Sequence, residues 1–226
     1  MVGASSCYTL SSHGRVKDQN QLGLISQLFL FELFYNRNMN SKPLFDSFPL
    51  LSTPRLLLRA LALTDLDDLY EYASDPEIDR YTPWDHYKNI EEARENLNEF
   101  LEAYEKHGFW AWGIEHHADK KLIGIINFNK PGYDRKVEVG YTIARKYWGQ
   151  GLATEALQAL IRYGFEKLDV ARIEAVILPE NKASSKVLTK AGMQFEGLLR
   201  NYQVWKGKPS YWEMYAIVWK SYNINA

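Results

Sequence analysis

The sequence predicts one mixed α+β domain with a central, mostly antiparallel sheet flanked by helices, preceded by an N-terminal appendage. Three observations carry that expectation. Between residues 109 and 144, three short segments rich in β-formers alternate with turn residues, the spacing of an antiparallel meander. From residue 151 the pattern switches to helical periodicity, and a strand, a short helix and two more strands follow. The composition, 46% hydrophobic and 24% charged over 226 residues, is that of a globular chain long enough to bury its own core.

Residues 1–48 show no sustained periodicity apart from a Leu/Phe patch at Leu22–Phe34. They read as an N-terminal extension: either a leader or over-long start, with Met39 as a second initiator, or an amphipathic segment that docks on the domain or a partner. Arg15 and Lys17 precede the patch as in a signal peptide, yet no small-residue cleavage site follows. The patch is too short to span a bilayer, and Gln27 and Glu32 interrupt it. The domain is expected over residues 49–226.

Arg55–Arg59, after Thr53-Pro54, reads as a first strand. Thr64 is placed to cap a helix whose first turn is acidic, and Asp75-Pro76 ends it. Asn89–His107 carries Ile90, Ala93, Leu97, Phe100, Leu101 and Tyr104 on one helical face, with Gly108 as its stop. The meander comprises Phe109–Glu115, Leu122–Asn127 and Val137–Ala144, with turns at Ala118–Lys121 and Lys130-Pro131-Gly132. Gly151–Lys167 is a helix with Leu152, Ala156, Leu157, Leu160 and Ile161 inward. Arg172–Leu178 is a strand, and Ser184–Ala191 a short helix. Gln194–Gln203 and Tyr211–Trp219 are two strands around Gly207-Lys208-Pro209.

The charge balance excludes some partners. A formal net charge of −1 offers no global attraction for nucleic acid. The single cysteine, Cys7, rules out an internal disulfide framework and a Cys-based zinc site, and makes a reducing cytoplasm the expected compartment. No metal is expected, because no Asp/Glu/His trio stands out. No membrane partner is expected either. The oligomeric state is open, a homodimer included.

The chemistry concentrates at Lys146-Tyr147-Trp148-Gly149-Gln150-Gly151, which leaves a strand and enters a helix. First-turn amides of a helix lack intrahelical partners, and the macrodipole adds positive potential. Two glycines let the backbone approach an anion, so a pyrophosphate fits there. A Walker loop needs Gly-Lys-Ser/Thr, whereas Leu152-Ala153 follows Gly151. A nicotinamide loop reads G-x-G-x-x-G/A, but Thr154 occupies the last position, and the feeding strand closes an antiparallel meander instead of opening a βαβ unit. A ligand-free turn remains the alternative for the loop taken alone.

Four segments together resemble the GNAT N-acetyltransferases, in particular the RimJ/RimL-like branch. They are the loop at 146–151, Thr53-Pro54-Arg55-Leu56-Leu57-Leu58-Arg59, Glu138-Val139-Gly140-Tyr141, and Asn181-Lys182-Ala183-Ser184 followed by Val187–Met193. The resemblance covers roughly residues 50–220. Lys146 stands where the family usually has Arg or Gln, and Met193 where the branch commonly has Phe. The resemblance implies the GNAT fold, acetyl-CoA as cosubstrate, and direct attack of a primary amine on the thioester in a ternary complex. It places cofactor contacts on Tyr141, Thr142, Ile143, Lys146, Gly149, Gln150, Gly151, Ala153, Thr154, Asn181 and Ser184.

That reaction needs a base, because a free alkylamine is largely protonated at neutral pH. It needs donors for the oxyanion, and it benefits from an acid for a thiolate whose parent thiol has a pKa of about 8.5. Glu138 is the candidate base, on the strand face opposite Val137 and Val139; a solvent-facing strand carboxylate is the plain alternative. Ser184 is the candidate acid and Asn181 its positioner; helix capping is the structural role open to both. Trp84, Trp110 and Trp112 are candidates for an acceptor wall or for the core. The acceptor amine is a protein N-terminus or a small molecule, and a non-catalytic acyl-CoA-binding module is the rival reading. A peptide acceptor predicts an open groove between the first two helices and the last hairpin; a small acceptor predicts a closed pocket.

Overall fold

A computed structural model describes residues 48–107, 111–129, 135–220 and 222. Residues 1–47 of the expected N-terminal extension, the expected helix stop Gly108, Phe109, Trp110 and the turn at Lys130-Pro131-Gly132 lie outside the described residues. Among the described residues eight strands form one sheet: β1 (Leu51–Ser52), β2 (Leu56–Arg59), β3 (Ala111–His116), β4 (Lys121–Asn129), β5 (Lys136–Ile143), β6 (Arg172–Ile177), β7 (Gln194–Trp205) and β8 (Lys208–Val218). Their spatial order is β1-β2-β3-β4-β5-β6-β8-β7. Among the same residues four α-helices accompany them: α1 (Leu66–Ala73), α2 (Ile90–His107), α3 (Leu152–Lys167) and α4 (Lys182–Lys190). All neighbouring strands are antiparallel except β5 and β6.

The mixed architecture agrees with the sequence, and the differences have local causes. Thr64 does not cap α1. One 3-10 turn at Leu63–Asp65 leads into the helix, and the Asp65 side chain at the N-cap position points back, accepting from the Ala62 amide at 2.8 Å and pairing with Arg59 at 2.7 Å. Helix α4 starts two residues before the expected Ser184, because the Asn181 side chain accepts from the Ser184 amide at 3.1 Å and so fixes the cap. The last hairpin is longer than expected. Lys206-Gly207 alone makes the turn, and Pro209 sits beside it at the start of β8, where a proline is tolerated.

Helix α3 buries Leu152, Ala156, Leu157, Leu160, Ile161 and Phe165 against the sheet. A chain of rings shows which face it covers: Phe128 on β4 meets Trp112, and Trp112 meets Tyr163 on α3. Phe128 is in register with Val139 and Ile126 with Tyr141, so Val139 and Tyr141 share this α3 face. Glu138, Gly140 and Thr142 lie on the opposite face, as do Asn127 and Asn129 of β4. Trp112 is fully buried and belongs to the core; Trp84 stacks on Tyr87 at its edge. Within the described residues no helix is long and apolar enough to cross a membrane.

Candidate active site

Strands β5 and β6 pair for three residues only, ending at Glu138↔Glu174. Beyond that point β5 runs on to Ile143 and β6 to Ile177 without a ladder between them. The β6-facing edge of Tyr141, Thr142 and Ile143 is therefore open, while their other edge pairs with β4. Each strand then leads into a helix, β5 into α3 and β6 into α4, so two helix N-termini flank one opening in the sheet.

The two helix starts differ in a way that decides where an anion fits. At α4 the Asn181 side chain already caps the Ser184 amide. At α3 the N-cap is Gly151, with no side-chain cap, so the first-turn amides keep their donors for a ligand. Gly149 and Gly151 both have positive φ, 76° and 81°, and an added Cβ at Gly149 would meet nothing within 4 Å. The backbone here is bare, left-handed and open. Lys146 extends over the Tyr147 ring, and Arg145 pairs with Asp75. Ala153 is buried and Thr154 half-buried in the first turn.

A clamp that sequence reasoning did not identify holds this loop. Glu155, in the first turn of α3, accepts from the Thr53 hydroxyl at 2.6 Å, the Arg55 amide at 2.9 Å and the Arg55 guanidinium at 2.7 Å. The same guanidinium donates to the Gln150 carbonyl at 2.9 Å. Burial works against ionisation of Glu155, but these donors hold it below the usual carboxylate range. On the other side, Tyr147 donates to Asp119 at 2.6 Å, and Trp148 Nε1 to the Ile143 carbonyl at 2.6 Å. Replacing Arg55 with Ala exposes the Glu155 charge beside the anion site and loosens the loop. The KM for acetyl-CoA should rise roughly fivefold with little change in kcat, and removing Glu155 as well should recover part of the loss. Steady-state kinetics with varied acetyl-CoA checks both.

The candidate acid and base fall on opposite faces of the sheet. Ser184 is fully buried in the first turn of α4, next to Tyr141 on the α3 face. The Tyr141 phenol is almost wholly buried and lacks a hydrogen bond of standard geometry. Burial pushes its pKa well up, an effect the neighbouring Ser184 hydroxyl opposes. A buried hydroxyl in that condition costs about 1–3 kcal/mol, which a ligand polar atom can offset. Glu138 is half-buried at the last paired position of β5, on the other face. Asn129 is its register partner on β4, and Asn127 donates to Asn129 there. Its β6 neighbour Glu174 pairs with Lys136 at 3.0 Å and Arg172 at 2.8 Å.

A cavity of about 850 Å³ opens beyond the carboxyl end of β6. Leu178, Pro179 and Glu180, immediately before Asn181, form one side. Arg80 and Tyr81, between α1 and α2, form another, and Trp205, Tyr211 and Glu213 of the last hairpin complete it. Tyr81 donates to the Glu180 carbonyl at 3.2 Å, and Lys206 to the Asp79 carbonyl at 2.8 Å, so the walls are tied together. Three distant stretches of chain meet here, which is why sequence spacing did not single them out. Among the described residues no cluster of three or more His, Cys, Asp or Glu could hold a metal.

An uncapped helix start on a glycine loop, beside a strand pair that parts, suits an anionic group such as a pyrophosphate. Comparison with known proteins agrees. The family model described as acetyltransferase (GNAT) domain matches residues 55–194. N-acetyltransferase YoaA of Bacillus subtilis is 36% identical over 172 residues, spanning 76% of this chain and 97% of the relative. The [ribosomal protein uS5]-alanine N-acetyltransferase of Escherichia coli is 28% identical, spanning 70% of this chain and 84% of that protein. The structure of Mycobacterium smegmatis RimJ in complex with CoA-disulfide superposes with a TM-score of 0.64 at 25% identity, over 77% of this chain and 88% of that one. The chain belongs to the GNAT family, RimJ/RimL-like branch, and is an acetyl-CoA-dependent N-acetyltransferase.

Proposed function

We propose that this enzyme acetylates a protein N-terminal α-amine, which enters through the cavity beside Glu180 and attacks the thioester directly in a ternary complex. The observation that carries this reading is the parting of β5 and β6 after Glu138↔Glu174, with an uncapped helix start on one side and an open cavity on the other. Acetyl-CoA supplies a thioester carbonyl when bound. The loop amides from Gly149 to Thr154 hold its pyrophosphate, with Lys146 and Gln150 at the rim. The open edge of Tyr141–Ile143 binds the pantetheine arm and the acetyl carbonyl.

Glu138, at the vertex of the opening, takes the proton that the incoming ammonium must lose. Ser184 and the Tyr141 phenol, on the α3 face, would supply the proton that a departing thiolate takes up, a different proton from the one Glu138 removes. Asn181 sets the α4 cap that places Ser184. The acceptor reading rests on the cavity. It is open, bounded by the α1–α2 connection and the last hairpin, and roomy enough for several residues of extended chain. The uS5-alanine N-acetyltransferase among the relatives supports a peptide acceptor. Thiol release from acetyl-CoA, measured with short peptides, the same peptides blocked at the N-terminus, and small amines, tests this. Turnover should require the unblocked peptide; turnover confined to small amines would contradict the proposal.

A further inference from the structure

The cavity presents two charges of opposite sign that no neighbour neutralises. Glu213 is already matched, by Lys182 at 3.2 Å and by the Tyr215 hydroxyl at 3.1 Å. Glu180 and Arg80 are different. Both are exposed, both line the cavity, and neither has an ion-pair partner among the described residues. They do not pair with each other, although the Tyr81–Glu180 hydrogen bond ties their two turns together. The Arg80 guanidinium is held over the Tyr81 ring, 5.4 Å from its centroid, and the turn that carries it is strapped to the hairpin by Lys206. Two opposite charges kept apart on fixed walls complement a ligand that carries both.

Glu180 immediately precedes Asn181, the cap of α4, so it marks the α4 end of the cavity. A carboxylate there draws in the ammonium that will react. Arg80 stands on the α1–α2 wall. A guanidinium recognises a carboxylate through two parallel hydrogen bonds, a geometry an ammonium cannot copy. Resting on the peptide-acceptor reading, we infer that the enzyme selects N-termini followed within the next few residues by an acidic side chain, which Arg80 reads while Glu180 steers the α-ammonium.

The test is a peptide series beginning with Ala, with Glu, Ala or Lys placed in turn at positions two, three and four, assayed by thiol release with wild type, Arg80→Gln and Arg80→Glu. At one position, Glu should give a kcat/KM about five- to tenfold above Lys in wild type, the size expected of an exposed but pre-oriented charge pair. Arg80→Gln should flatten that preference and Arg80→Glu should reverse it. Equal rates for all peptides in wild type would overturn the inference and leave the peptide-acceptor reading standing. A Glu preference that survives in Arg80→Glu would also overturn it. Failure of every peptide, with small amines still acetylated, would remove the acceptor reading and this inference with it.

Discussion

Glu138→Gln is expected to lower kcat by about 10²- to 10³-fold and to leave the KM for acetyl-CoA close to that of the wild type, the range that positioned general bases contribute. Gln keeps the shape of Glu and its hydrogen bonding but cannot accept a proton. The position supports the claim better than the residue type does. Glu138 is the last residue of β5 that pairs with β6, so it stands where the strands begin to part. It lies on the face opposite α3, away from Tyr141 and Ser184, beside Asn129 of β4. Its neighbour Glu174 is an informative control. That carboxylate is buried and committed to Lys136 and Arg172, so Glu174→Gln should reduce stability while the kcat effect stays small. Steady-state kinetics with acetyl-CoA and acceptor varied separately checks the expectation. Turnover that is unchanged in Glu138→Gln would remove this residue from the mechanism.

Gly124→Ala is expected to damage fold and cofactor binding together. Gly124 lies on β4 opposite Ile143, the last residue of β5. A Cβ there would sit 2.1 Å from the Thr142 carbonyl oxygen and 3.1 Å from the Ile143 Cα. Both are backbone atoms of the β5 segment proposed to bind the cofactor, so neither can swing aside. Overpacking of this kind costs about 1–3 kcal/mol or more. For a chain of this size each kcal/mol lowers Tm by about 2–4 °C. Because the strain falls on Thr142 and Ile143, acetyl-CoA affinity should fall beyond what the loss of stability explains. Gly113→Ala is the comparison. Its added Cβ would crowd the side-chain ends of Leu122 and Leu61, at 2.8 and 2.9 Å, and reach backbone only at an ordinary 3.6 Å from the Arg59 carbonyl oxygen. Thermal unfolding and calorimetric titration of both variants check this; equal, mild effects at the two positions would refute it.

What the sequence made legible was chemistry written in neighbouring residues. Gly149-Gln150-Gly151 announces a left-handed loop entering a helix, and both glycines have positive φ. The apolar spacing of Leu152–Ile161 names the buried face of α3, and Asn181 before Ser184 names a cap. The rest depends on contacts made across long stretches of chain. Arg55 and Glu155 are a hundred residues apart, and Arg55 reads only as the start of a strand until the two meet. The point at which β5 and β6 part is a property of the pairing and not of either strand. Gly124 looks like an ordinary residue inside an apolar run until the carbonyl above it is located. The cavity beside Glu180 draws on the α1–α2 connection, the β6–α4 turn and the last hairpin, so no single segment carries its pattern. The same limit explains Trp112, whose type suits a pocket wall and whose strand face sends it to the core.

The most direct measurement of the central claim uses one peptide that carries both a free N-terminus and an internal lysine, incubated with enzyme and acetyl-CoA, with the acetyl group located by mass spectrometry. The account predicts one acetyl group on the α-amine and none on the lysine, with thiol released in equal amount. An acetyl group on the lysine alone, or an unmodified peptide under conditions where small amines are acetylated, would contradict it.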